Sequence, residues 1–240
     1  MVWRCLCKVK ITWLDTSNDL GWDIVKNNFW ETLEPPWQAC LDEAWKAYCS
    51  GSLPIGAVIC DESEEILVRG RNSIFQTELN DKTATNRKLL HAELAALQSL
   101  DEANQPSAMT LYSTMEPCPM CFGAWYMSSV KSLHFVARDA YAGSTNLRGK
   151  TWYLQWKNRQ IEGPVPGLEK IVLAMHVEFD VRVRKRADDV VLERWKEVLP
   201  EAVEFGKALA EAGTLEGLAK KGTGVDIVIN RIEDMLSSKN

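Results

Sequence analysis

The sequence predicts an α/β fold, a β-sheet covered by helices. Three observations carry this. Segments of helical and strand period alternate as α-β-β-α-β-α-β from residue 37 to residue 137. The strand-type runs are short, apolar and bounded by turn residues. The chain has 240 residues, 46% apolar and 25% charged, an ordinary composition for a globular protein with a sizeable core.

The elements follow in order. Residues 1–35 carry Trp3, Trp13, Trp22 and Trp30 without a clean period and end at Pro35-Pro36, so they read as an N-terminal extension. From Trp37 to Cys49, Trp37, Cys40, Leu41, Ala44, Trp45 and Tyr48 recur at helical spacing, and Pro36 suits a helix start. Ile55–Cys60 and Ile66–Arg71 flank the turn Asp61-Glu62-Ser63-Glu64 and predict a hairpin. Residues 73–87 are polar loop, and Leu89–Leu100 predicts a helix that contains His91. Met109–Thr114 is a third strand, Pro119–Ser128 a helix and Ser132–Ala137 a fourth strand. Ile171–Met175 is a candidate fifth strand, and Asp188–Ala212 and Val225–Leu236 read as helices.

Composition excludes several classes. The net charge is -5 and the pI about 5.4, which argues against a broad basic face for a nucleic-acid backbone. The longest uncharged runs, such as Ala47–Cys60 and Pro117–Val130, have 14 residues, short of the roughly 18 that span a bilayer. Arg4, Lys8, Lys10 and Asp15 interrupt any secretion-signal core. The expectation is a cytoplasmic chain. The 7 cysteines (5, 7, 40, 49, 60, 118 and 121) are odd in number and scattered, unlike a disulfide framework.

The residues that carry chemistry are His91-Ala92-Glu93 and Pro117-Cys118-Pro119-Met120-Cys121. Two cysteines three apart at a helix start can put both sulfurs on one ion, and thiolate and imidazole are good zinc ligands. A helix N-terminus favours the thiolate form. His91, Cys118 and Cys121 make three ligands; a structural site normally takes four, and three leave a position for water. Glu93 need not ligate. It can stand beside the bound water, whose pKa zinc lowers toward ~7, and shuttle protons. The bland alternative is a cysteine pair buried as small hydrophobes with a hydrogen-bonded His91. The paired pattern H-x-E and P-C-x-x-C is the signature of zinc deaminases.

On these motifs the chain resembles the cytidine and deoxycytidylate deaminase superfamily, most closely the branch of guanine deaminases and tRNA adenosine deaminases. The matching stretches are Leu53–Ile59, Gly70-Arg71-Asn72, His91-Ala92-Glu93, Thr114–Cys121 and Ala137-Arg138-Asp139-Ala140. The resemblance implies a three-layer α/β/α sandwich around a five-stranded mixed sheet, and a homo-oligomer, a dimer first. It implies Zn2+ on His91, Cys118 and Cys121, with Glu93 as general base and then acid. It implies substrate contacts from Asn72, the Ala92 backbone, the Pro117 carbonyl and, at the pocket rim, Asp139. Residues 36–185 then form the zinc deaminase domain, and 186–240 a helical C-terminal extension. Arg87-Lys88-Leu89-Leu90 stands where many members have Asp-Pro-Thr-Ala, and Asn80–Ala84 lies upstream as if residues were inserted.

The expected substrate is a small nucleobase, nucleoside or related aminated heterocycle, a guanine-like purine first, with ammonia as the product. The acidic charge sets nucleic acid aside, although a tRNA adenosine deaminase is the first alternative and an inactive zinc-stabilised scaffold the second. The basic cluster Arg182, Arg184, Lys185 and Arg186 reads as a solvated face. Phe75, Tyr141, Trp152 and Trp156 are aromatics able to stack on a base; Trp152 and Trp156 share a helix face and fit core or interface packing. His134 and His176 read as structural. Residues 1–35 and the C-terminal helices are candidates to cap a neighbouring subunit's active site.

Overall fold

This computed structural model describes residues 28–76, 87–101, 106–185 and 189–238. Most of the N-terminal extension, Asn80–Ala84 and Arg186 lie outside the described residues. A five-stranded mixed sheet is made of β1 Gly56–Asp61, β2 Ile66–Arg71, β3 Met109–Met115, β4 Ser132–Ala137 and β5 Gln160–Glu162, in the order β2-β1-β3-β4-β5. β1 runs antiparallel to β2 and β3, while β3, β4 and β5 run parallel. Parallel neighbours need crossovers, and helices α3 Pro119–Met127 and α4 Trp152–Lys157 supply them.

Two further helices precede these, α1 Pro35–Cys49 and α2 Ala92–Gln98. The central β1 is buried along Gly56–Cys60, and its side chains alternate between two layers, as strand geometry requires. Val58 and Cys60 join Trp37 and Leu41 of α1, whereas Ala57 and Ile59 join Ala96 of α2 and Phe122 of α3. The three-layer α/β/α sandwich follows from that alternation.

The expected strand at Ile171–Met175 is instead part of a 15-residue helix, α5 Leu168–Arg182, and the fifth strand is β5. An apolar run buried on every side has the same composition as a buried strand. Ile171, Val172, Leu173, Ala174 and Met175 are all buried, and each large side chain contributes about 1.5–3 kcal/mol by leaving water. The carboxylates of α5 find partners elsewhere. Glu169 accepts from the Arg138 backbone and from both sides of its guanidinium, with the closest contact at 2.8 Å. Glu178, fully buried, accepts from Tyr48 at 3.0 Å and Arg182 at 2.6 Å.

The segment expected as helical over 188–212 is two helices, α6 Val190–Val198 and α7 Pro200–Ala212, parted at Leu199. A residue before proline avoids the helical region, and Leu199 is at φ -142°. Next come α8 Thr214–Lys220 and α9 Val225–Ser237. Trp195 of α6, Phe205 and Leu209 of α7 and Ile229 of α9 share one apolar cluster with α1 and α5. Hydrogen bonds close it: Trp45 Nε1 donates to Thr223 O at 2.9 Å, and Trp30 N to Asn230 Oδ1 at 2.8 Å. No helix among the described residues is long and apolar enough to cross a membrane.

Candidate active site

Two helix starts meet at the C-terminal side of β3. His91 stands immediately before α2, at its N-cap, rather than inside a helix from Leu89; Arg87–Leu89 form a separate 3-10 turn. Cys118 is the N-cap of α3, with Pro119 in the first turn, where its missing N–H costs nothing. Gly70 lets α2 lie tight against β2: a Cβ there would sit 2.2 Å from Ala92 O and 2.5 Å from Ala96 N. The Ser73 N–H donates to Leu90 O at 2.9 Å and closes the long loop beside the site.

The imidazole Nδ1 of His91 lies 3.6 Å from Cys118 Sγ and 3.5 Å from Cys121 Sγ. A tetrahedral zinc with Zn–S of ~2.3 Å and Zn–N of ~2.05 Å sets its nitrogen and sulfur ligands about 3.6 Å apart. The three atoms fit that ion in separation and in donor chemistry. A hydrogen bond from the Cys121 thiol, helped by His91 and the Cys121 backbone N–H, lowers Cys118 to about 4 against the opposing effect of burial. The Cys121 thiol is pushed up by Cys118 and by burial. His91 is raised by its hydrogen bond with Cys118.

Glu93 sits in the first turn of α2, 4% exposed, with Oε2 3.5 Å from Cys121 Sγ. Burial raises its carboxyl above the ordinary range. A buried carboxyl group beside the three ligand residues is suited to moving protons.

A cavity of about 170 Å³ opens onto this cluster. Asn72, His91, Glu93, Cys118 and Asp139 line it, while Ala92, Pro117 and Cys121 do not. The buried Asn72 amide is oriented by its oxygen, which accepts from Ser52 Oγ at 2.7 Å and Ile74 N at 3.2 Å; its Nδ2 has no partner among the described residues. The Pro117 carbonyl accepts from Ser144 N at 3.0 Å. Asp139 Oδ1 accepts from Tyr141 N, Ala142 N and, at 3.1 Å, Trp195 Nε1, so this residue ties the rim to α6.

His176, Asp180, Arg184 and Trp195 also line the cavity, and the sequence reading missed them as a wall. Residues 176 and 180 are four apart on one face of α5, with Arg184 two residues past its end, a signal hidden by reading 171–175 as a strand. Two of the basic cluster are not on a solvated face: Arg182 pairs with Glu178 at 2.6 Å, and Arg184 pairs with Asp180 at 2.7 Å while lying 5.4 Å over Phe75, whereas Lys185 is exposed. Tyr141 stands at the cavity. Trp152 and Trp156 stack on each other at 6.1 Å on the surface, 75% and 65% exposed, so they are not core.

A mixed sheet that carries a His/Cys/Cys metal cluster and a buried carboxylate at one cavity defines a metal-dependent α/β protein. The model of the cytidine and deoxycytidylate deaminase zinc-binding region matches residues 31–137. A tRNA-specific adenosine deaminase of Bacillus subtilis (strain 168) is 37% identical over 149 residues, 61% of this chain and 87% of that protein. A cytosine deaminase of Candida albicans is 33% identical over 112 residues, 46% of this chain and 69% of that one. A tRNA-specific adenosine deaminase of Haemophilus influenzae is 39% identical over 112 residues, 45% of this chain, which spans 60% of that relative's length. The chain belongs to the cytidine and deoxycytidylate deaminase zinc-binding family, whose cofactor is zinc. Two of the three relatives are named for tRNA.

Proposed function

We propose that this chain is a zinc-dependent hydrolytic deaminase of an aminated nucleobase. The observation that carries the proposal is the His91, Cys118 and Cys121 cluster with Glu93 buried beside it at one cavity. Zinc held by His91, Cys118 and Cys121 would supply the Lewis acidity that makes water a nucleophile near neutral pH. Glu93 would take one proton from the attacking water and pass it to the ring nitrogen beside the carbon that bears the amine. It would then carry the second proton, from the added hydroxyl, to the leaving amine. The C–N bond breaks, a carbonyl replaces it, and ammonia departs. Asn72 Nδ2 donates to an acceptor on the base.

The relatives' names support adenosine in tRNA as the substrate, with identities of 37% and 39%. A second reading, a small guanine-like purine, is favoured by the walls: α5 and α6 line the cavity, and its volume of about 170 Å³ lies below the ~300–1,000 Å³ of ordinary ligand pockets. Ammonia release from tRNA and from a panel of free bases and nucleosides, with Glu93→Ala as the blank, separates the two. Release that survives in Glu93→Ala contradicts the deaminase proposal.

A further inference from the structure

Two side chains on the α5 wall each keep one polar atom without a partner among the described residues. Asp180 is fully buried; Arg184 holds its Oδ1 at 2.7 Å, and its Oδ2 has no hydrogen-bond partner among those residues. One turn earlier His176 is 6% exposed, its ring edge-on to Trp195 at 4.8 Å, and its Nδ1 has no hydrogen-bond partner among the described residues. Burial lowers its pKa, which favours the neutral ring. Both side chains line the cavity that holds His91, Glu93 and Asn72. An unpaired buried carboxylate oxygen costs free energy, and a ligand that donates to it removes that cost. Asn72 and Asp180 both line the cavity, and each keeps one side-chain atom, Nδ2 and Oδ2, without a hydrogen-bond partner among the described residues.

We infer that Asp180, flanked by His176, is a specificity-determining residue that accepts a ring N–H from the substrate. The substrate class is then an aminated heterocycle that still bears a ring N–H, a free base. In a nucleoside or in RNA the glycosidic nitrogen carries the sugar instead. Arg184 is a positioning residue: it orients the carboxylate and leaves one oxygen for the ligand. None of these residues falls within the family match at 31–137. The inference rests on the deaminase proposal for its chemistry, and its test is read separately.

The test uses the zinc-loaded full chain and guanine, adenine and cytosine, each beside its analogue methylated at the glycosidic nitrogen. Wild type should turn over a free base and lose that turnover on methylation. Asp180→Asn should lower kcat/KM for the free base about 10- to 100-fold, the range for a hydrogen bond to a charged group, with zinc content unchanged. Calorimetric binding of the same bases to Glu93→Ala, with and without Asp180→Asn, reads the contact without turnover; a 10-fold or greater loss supports it. Equal binding and equal turnover with and without Asp180→Asn overturn it, as does failure of every free base to bind. Turnover that survives Glu93→Ala sinks the deaminase proposal, while the binding comparison still judges Asp180.

Discussion

Gly70→Ala is a strict test of how the fold places the site. The added Cβ would lie 2.2 Å from the Ala92 carbonyl oxygen, where ordinary contact begins at 3.4 Å. The shortfall is 1.2 Å, and both nearest atoms are backbone, so α2 must move. A glycine-to-alanine change normally stabilises by restricting the unfolded chain, by about 0.4–1 kcal/mol. Here overpacking opposes that gain at about 1–3 kcal/mol and wins. For a chain of this size each kcal/mol shifts the midpoint by roughly 2–4 °C, so the unfolding midpoint should fall by several degrees. His91 and Glu93 ride on the start of α2, and a misplacement of ~1 Å costs about 10²-fold in rate. Thermal unfolding, zinc content and ammonia release on the best substrate read the three consequences. A variant with wild-type midpoint and wild-type turnover would refute the claim that this contact sets the site.

Other perturbations follow from the same geometry. Cys118→Ser should abolish stoichiometric zinc, because a hydroxyl is a poor substitute for thiolate; metal analysis after dialysis checks it. Zinc should be lost to a chelator more readily at pH 6 than at pH 8. His91 has its pKa raised and Cys121 its thiol pushed up, and both must be deprotonated to ligate, so falling pH sets protons against metal; equal loss at both pH values would contradict this. Arg138→Ala should cost about 1–3 kcal/mol in denaturant unfolding, because it leaves the nearly buried Glu169 carboxylate without its guanidinium partner. An unchanged midpoint would show that water replaces the pair.

Four of the five strands and the metal-ligand residues were legible because their signals are local, whereas the three-residue β5 was not. Ile66–Arg71 and Ser132–Ala137 alternate or run apolar between turn residues, and the structure keeps those bounds. The three metal-site residues carry unusual chemistry at short spacings. The α5 helix was not legible, since a helix buried on all sides loses its 3.6-residue stripe. Two of its carboxylates also depend on distant partners: Glu178 on Tyr48, 130 residues away, and Glu169 on Arg138, 31 away. The start of α2 at Ala92 was also hidden, because the preceding 3-10 turn continues the helical spacing. The cavity wall made by His176 and Asp180 was lost together with α5.

The central claim is that Glu93 moves the protons of a zinc-dependent deamination. Its most direct test is ammonia release by wild type and by Glu93→Gln, with zinc measured in both. General acid–base catalysis contributes about 10²–10⁴-fold, and this residue serves both directions of transfer. Glu93→Gln should keep one zinc per site and lose at least about 10³-fold in kcat. A zinc-loaded Glu93→Gln that releases ammonia at a rate near wild type would contradict the account.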